Sequence, residues 1–170
     1  MKKNQKGFSL IELLIVVAII LIIAAIAIPN LLRARISANE SSAVGSTRTI
    51  VTTEVQYSTT YGTGFSPDLA SLGGPAGCAP AAATACLIDP QLTTGFKSGY
   101  NFLAVPNTGA GTAVNPYSGF EENATPQSAS TGSRAFCADQ TGVIHYQLGT
   151  AAIGTGAGTC SGLPATQVLQ

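Results

Sequence analysis

Charged side chains are scarce in this sequence, which carries eight basic and eight acidic residues among 170. Three of the basic residues are lysines within the first seven positions, so the rest of the chain has five Lys or Arg against eight Asp or Glu. Such an acidic remainder offers no basic patch for a phosphate backbone, which argues against a nucleic-acid-binding protein. Few charges and abundant Gly, Ala, Ser and Thr suit a surface that packs against copies of itself.

Residues that commonly carry catalysis or bind metals are also scarce. His145 is the only histidine, and the neighbouring sequence contains no signature of a Ser or Cys nucleophile. Glu121 and Glu122 are adjacent in a segment that we expect to be a loop, where they would not form a positioned acid–base pair. The sequence has no Cys-x-x-Cys and no Asp cluster with calcium-loop spacing. We therefore expect no enzymatic activity, no cofactor and no metal site.

One long apolar run is present. Between residues 8 and 28 the only polar side chains are Ser9 and Glu12, and three lysines precede the run. As a helix it would be roughly 31 Å long, about the thickness of the hydrocarbon core of a bilayer. The lysines favour a cytoplasmic position for this end. A carboxylate at the centre of such a helix costs roughly 2.5–3.5 kcal/mol, and less near an end, so Glu12 is a functional candidate by default.

Two simpler interpretations of the run are a secretory signal peptide, with Ala25-Ile26-Ala27 as its cleavage site, and a plain signal anchor. Neither accounts for Glu12 or for the junction of Lys6, Gly7 and Phe8. Cleavage after Gly7 would give Phe8 a free α-amino group. That cation could pair with Glu12 of the same or a neighbouring chain, and a charge-assisted pair is strong where neither charge is solvated.

The stretch Lys6-Gly7-Phe8-Ser9-Leu10-Ile11-Glu12-Leu13-Leu14 resembles the N-terminal signature of type IV prepilins and of their relatives, the type II secretion pseudopilins. In that signature a basic leader ends in Gly, Phe begins the mature chain, and Glu is its fifth residue, as at Gly7, Phe8 and Glu12 here. The resemblance implies that a prepilin peptidase cleaves between Gly7 and Phe8 and N-methylates Phe8. It also implies that Phe8, Glu12 and Pro29 take part in subunit assembly.

The expected organisation has three parts: a leader at 1–7, one long helix at 8–61 and a globular head at 62–170. The helix half at 8–30 would lie in the membrane and then in a filament core. Pro29 predicts a kink or local opening, or else the end of one helix and the start of another. Many family members carry a glycine before this proline, whereas this chain has Leu21 and alanines.

Beyond Pro29, apolar residues at near-heptad spacing predict one buried helix face. Its members are Leu32, Ile36, Ala43, Ile50 and Tyr57, joined by Val44, Val51 and Val55. The charged residues of this half are expected on a solvated face, with ion pairing between subunits as the alternative. They are Arg33, Arg35, Glu40, Arg48 and Glu54.

The head is predicted to hold a small antiparallel sheet of three or four strands against this helix, an α+β fold. Strands are expected from about residue 98 to 105, at 134–138 and at 143–148, while 107–132 is expected to be mostly loop with one short strand near 112–114. In the last strand Ile144, Tyr146 and Leu148 should face the helix and His145 the solvent. Ser66 is expected to cap a short helix.

The four cysteines beyond an export signal predict disulfides, for which three pairings are possible. We favour Cys78–Cys86 and Cys137–Cys160, because each pair closes a loop within one region. In the chain-entropy view these loops contribute roughly 2.6 and 3.5 kcal/mol. The second bridge would tie the tail to the preceding hairpin, an arrangement that resembles the C-terminal disulfide region of many type IV pilins.

The resemblance implies a pilin subunit that polymerises through its N-terminal helix into a type IV pilus on the cell surface. Its partners would be copies of itself, the prepilin peptidase, the inner-membrane assembly machinery and, before assembly, membrane lipid. It would wait in the inner membrane with its head in the periplasm and become extracellular on assembly. The alternatives are a pseudopilin of a type II secretion system and a membrane-anchored adhesion or binding domain.

Overall fold

The computed structural model describes residues 8–153, 159–164 and 167–169. The chain divides into two compact units, Met1–Arg35 and Ile36–Gln170. One helix, α1 (Leu10–Tyr61), contributes to both. It ends at Gly62, whose positive φ of 67° ends the helical conformation and whose N–H still donates to the Ser58 carbonyl.

Pro29 lies inside α1, and every residue from Leu10 to Tyr61 is α-helical. A local opening, and the alternative of two separate helices, are therefore wrong, while the kink at Pro29 stays a prediction. Pro29 removes only the hydrogen bond of its own missing N–H. The residues that follow it, including Leu31 and Leu32, are good helix formers, and the helix continues through the proline.

The head contains one five-stranded antiparallel sheet in the order β1-β2-β3-β4-β5. The prediction of three or four strands missed β1, which lies before residue 98, and β3, which lies in the segment that was expected to be mostly loop. No strand forms at 112–114. The strands are β1 (Phe96–Lys97), β2 (Tyr100–Pro106), β3 (Phe120–Pro126), β4 (Arg134–Asp139) and β5 (Ile144–Leu148).

The core lies between the sheet and the second half of α1, where Ala43, Ile50 and Tyr57 are buried together with Phe102 and Phe136. The predicted apolar face is thus confirmed in its middle. It is wrong at Leu32 and at Val55, which are nearly half exposed.

Two short helices, α2 (Leu69–Leu72) and α3 (Pro90–Thr93), pack beside the sheet. The N-cap of α2 is Asp68, which accepts from the Ser71 N–H, and not Ser66 as predicted. Ser66 instead binds Glu54, as described below.

The direction of side chains on β5 follows the prediction only in part. Ile144 faces the core, but Leu148 is 74% exposed and His145 is only 9% exposed. The end of the chain pairs with the free edge of this strand. His145 forms a β-bridge with Val168, and the Leu169 N–H donates to the Ile144 carbonyl.

Two of the charged residues of α1 are buried, so the expected solvated face is wrong for them. Glu40 accepts from the Nη2 and Nε atoms of Arg134 at 2.7 and 2.9 Å. Glu54 accepts from the N–H and hydroxyl of Ser66 at 2.8 and 2.6 Å. Burying a carboxyl is costly in free energy unless it is hydrogen-bonded, as both of these carboxyls are. Arg33, Arg35 and Arg48 are exposed, as expected.

The disulfides are Cys78–Cys86 and Cys137–Cys160, the pairing that the sequence favoured. Cys137 and Cys160 are fully buried on the side of the sheet away from α1, with Ile153 beside them. This bridge holds the tail against β4.

Candidate assembly segment

The start of α1 is organised by a contact between Ser9 and Glu12. The Ser9 backbone N–H donates to Glu12 Oε2 at 3.0 Å, and the Leu13 N–H donates back to the Ser9 carbonyl. Ser9 is therefore the N-cap residue, and Glu12 occupies the third helical position. A Glu at this position that reaches back to the N-cap amide forms one half of a capping box. The sequence analysis missed it, although the Ser-x-x-Glu signal is present.

Capping gives Glu12 a structural role, which accounts for one of its two oxygens. Oε1 has no hydrogen-bond partner among the residues that the structure describes, and the side chain is exposed. The positive end of the helix dipole also favours a carboxylate in the first turn. The geometry therefore leaves Glu12 an oxygen with which to bind a cation outside its own helix turn.

The structure brings only two of the predicted assembly residues to one place. Phe8 and Glu12 lie at the first turn of the helix, and Phe8 is 82% exposed. Pro29 is roughly 25 Å further along the helix axis, at 1.5 Å rise per residue. Gly7, and with it the predicted cleavage junction, lies outside the described residues.

The surface between Glu12 and Pro29 is apolar and exposed. None of the most hydrophobic 18-residue window of α1 is buried, and the helix is long enough to cross a membrane. Exposure of so much apolar area to water is unfavourable, and large exposed apolar patches mark contacts with lipid or with other chains. The large exposed residues are Leu10, Ile11, Leu13, Leu14, Ile15, Val16, Val17, Ile19, Ile20, Leu21, Ile22, Ile23, Ile26 and Ile28.

The same segment carries the similarities to known proteins. The family model of the prokaryotic N-terminal methylation motif matches residues 2–28. Over 39 residues the chain is 67% identical to the "Type IV wide pilus major component PilA4" of Thermus thermophilus. Its N-terminal segment is that of a type IV pilin-family prepilin.

The structure matches the α+β type IV pilin fold, which has a long apolar N-terminal helix, an antiparallel sheet and a C-terminal disulfide. The aligned region covers 23% of this chain and 30% of the Thermus protein, so most of each chain lies outside it. No solved structure matches the chain. The similarity is therefore to the N-terminal segment of type IV pilins, and the role of the chain is proposed below.

Proposed function

We propose that the processed chain is a structural subunit that polymerises through α1 into a type IV pilus filament on the cell surface. One observation carries the proposal: the exposed apolar half of α1 begins with a carboxylate that keeps one oxygen unbound among the described residues. An apolar surface alone needs only lipid. A carboxylate in that surface needs a cation, and a neighbouring subunit supplies one if its mature chain starts at Phe8.

The steps before assembly follow from the same segment. We infer that a prepilin peptidase cuts after Gly7 and N-methylates Phe8, and that residues 8–30 then hold the subunit in the inner membrane. The basic leader favours a cytoplasmic position for the start of the helix, with the head in the periplasm. Assembly machinery of the inner membrane would then transfer the subunit from lipid into the filament.

In the filament, α1 exchanges lipid for the helices of its neighbours, so its apolar area stays covered throughout. The pairing of Glu12 with the Phe8 amine of an adjacent subunit then fixes the register between helices that are otherwise uniformly apolar. A hydrogen bond to a charged group contributes about 1.5–3 kcal/mol, which corresponds to roughly ten- to more than a hundred-fold in each addition step. The pair thus supplies specificity as well as stability.

The test separates the charge of Glu12 from its capping role. Glu12→Gln keeps an oxygen that can accept from the Ser9 N–H but removes the negative charge, whereas Glu12→Ala removes both. Ser9→Ala is the matched control, because the observed contact uses the backbone of Ser9 and not its hydroxyl. We expect E12Q and E12A to be processed and inserted, yet at least about ten-fold depleted from sheared surface filaments, while S9A assembles normally.

Normal filament assembly of E12Q would limit Glu12 to capping and overturn the proposed pairing. An anchored adhesion domain would display its head on the cell equally well with all three variants. A pseudopilin would give no long surface filaments even in the parent chain, and its E12Q variant would instead lose secretion.

A further inference from the structure

Glu122 is a carboxyl that the proposed assembly does not use. It lies on β3, on the side of the sheet that faces α1, and it is completely buried. The Thr47 hydroxyl of α1 donates to its Oε1 at 3.4 Å. Oε2 is buried and has no hydrogen-bond partner among the described residues. Two oxygens with so little solvation are a poor site for a negative charge.

The described surroundings of Glu122 supply no cation. Its cross-strand neighbours are Ala104 on β2 and Ala138 on β4, both apolar. Arg134 is engaged with Glu40, and Lys97 with Asp89. On α1 the other titratable groups beyond Pro29 are the exposed Arg33, Arg35 and Arg48, the acids Glu40 and Glu54, and the phenols Tyr57 and Tyr61. Tyr100 on β2, Tyr146 on β5 and Asp68 before α2 add no cation. Glu121, Asp139 and His145 alternate with the core-facing residues of their strands and so lie on the opposite face of the sheet.

We propose that Glu122 is a neutral carboxylic acid in the folded head, and that its ionisation on raising the pH weakens the packing of α1 against β3. A neutral acid carries its own proton donor and fits the sparse contacts. An anion in the same place would need water or a cation beside it, and α1 packs over Glu122 at Thr47. The helix–sheet contact is therefore pH-sensitive at this point.

The direction of titration agrees with this geometry. Burial raises the pKa of Glu122 to about 8, and the weak contact from Thr47 lowers it only in part. Glu54, two helical turns beyond Thr47 on the same face, is a second such carboxyl. Burial raises its pKa to about 7, although both contacts from Ser66 lower it.

The sign of the pH effect is fixed by these raised values. A carboxyl whose pKa is higher in the folded state contributes stability that is fully present below its unfolded value, near 4.5. That stability is lost as the pH rises to the folded value. The unfolding constant should therefore rise, by up to about ten-fold per pH unit for each carboxyl. Between pH 7 and 8 the rise should come mainly from Glu122.

The experiment uses the full chain in detergent micelles. Infrared spectroscopy in heavy water detects the carbonyl band of a protonated carboxylic acid. Thermal unfolding, followed by the near-ultraviolet circular dichroism of the tyrosines, gives the unfolding constant from pH 5 to 8.5. Glu122→Gln is compared with Glu121→Gln, which changes the neighbouring residue on the opposite side of the sheet, and with Glu54→Gln.

We expect the band to persist at pH 7.5 in the parent chain, in E121Q and in E54Q, and to fall in E122Q to the smaller contribution of Glu54. Between pH 7 and 8 the unfolding constant should rise several-fold in the parent chain and in E121Q, but stay nearly flat in E122Q. A band at pH 7.5 that is as strong in E122Q as in the parent chain, or that is missing from E54Q, overturns the proposal. If E122Q does not fold, the band of E54Q at pH 7.5 decides: its presence supports a neutral Glu122, and its absence overturns the proposal.

Discussion

At the scale of single residues, Glu40 shows how this head tolerates a charge in its interior. Its carboxyl is 5% exposed and accepts from the backbone N–H and hydroxyl of Ser133 at 2.9 and 2.7 Å, besides the two contacts from Arg134. Burial alone would raise the pKa of Glu40, but the contacts from Ser133 and Arg134 outweigh burial and hold the pKa below its ordinary value. Glu40 thus joins α1 to the start of β4 as an anion.

Removing the cation of this pair should cost more than removing a surface arginine. Arg134→Met keeps much of the side-chain bulk but leaves Glu40 buried without its cation. We expect a loss of about 2–3 kcal/mol in the free energy of unfolding at pH 7. The loss should shrink at pH 4, because protonation of Glu40 removes the uncompensated charge.

Thermal unfolding of the full chain at both pH values measures this difference. Arg48→Met is the matched control, since Arg48 is an exposed arginine of α1, the helix that carries Glu40. This change should alter the free energy of unfolding by less than about 0.5 kcal/mol. An equal loss for R134M at pH 4 and pH 7 would mean that Arg134 acts by packing on Phe136 and Tyr146 alone.

The sequence singled out Glu12 as a candidate, but it could not predict that Glu40 and Glu54 of α1 are buried. Glu12 stands in an apolar run, where any charge is conspicuous. Glu40 and Glu54 alternate with arginines on an amphipathic helix, which is the usual pattern of a solvated face. Their burial depends on partners far along the chain, such as Ser133, 93 residues from Glu40. No local pattern contains that information.

At the scale of elements, the long helix was predictable and the middle of the sheet was not. The period of Ala43, Ile50 and Tyr57 identified the buried side of α1. The sequence of β3, with Glu121, Glu122 and Asn123 in succession, has low strand propensity, and it is a strand because β2 and β4 pair with both of its edges.

The C-terminal tail is held to the sheet by a protected disulfide. Cys137 and Cys160 are fully buried, whereas Cys78 and Cys86 are partly exposed. A reductant without denaturant should therefore open Cys78–Cys86 first. Alkylation followed by mass spectrometry of the peptides measures the order. Reduction of Cys137–Cys160 first would show that the tail detaches readily from β4.

Loss of the second bridge should be the more costly change. Cys137→Ala with Cys160→Ala should lower the free energy of unfolding by about 3.5 kcal/mol in the chain-entropy view, against about 2.6 for the corresponding double change at Cys78 and Cys86. Chemical denaturation of the two double variants, followed by circular dichroism, measures both losses. Release of the tail would also uncover the edge of β5 at His145.

At the scale of the whole molecule, the two units differ in what their apolar residues contact. The head buries its own core, while the large apolar side chains between Leu10 and Ile28 are exposed. This difference was predictable, because a continuous apolar run cannot form an amphipathic face. The strand count and the pairing of β5 with the chain end were not, since both depend on long-range pairing.

Processing can be measured on the intact protein. The unreduced mature chain should begin at N-methylated Phe8, and its mass should be lower by four hydrogens for two disulfides. The mass of the whole protein and its N-terminal sequence check both at once. A chain that still begins at Met1, or that begins at Ile28, would contradict prepilin processing and support an anchor or a secretory signal peptide.

The contact between Ser9 and Glu12 has a consequence for the reversibility of growth. In the proposed filament, a carboxylate that already accepts from its own helix amide through Oε2 would not enter unsatisfied, and a neighbour's amine at Oε1 would add a second partner. The free energy gained by the pairing is then the difference between Glu12 that only caps its own helix and Glu12 that is also bound to the amine. In the proposed filament, such a step would select the correct register without leaving the carboxylate unsatisfied when a subunit departs.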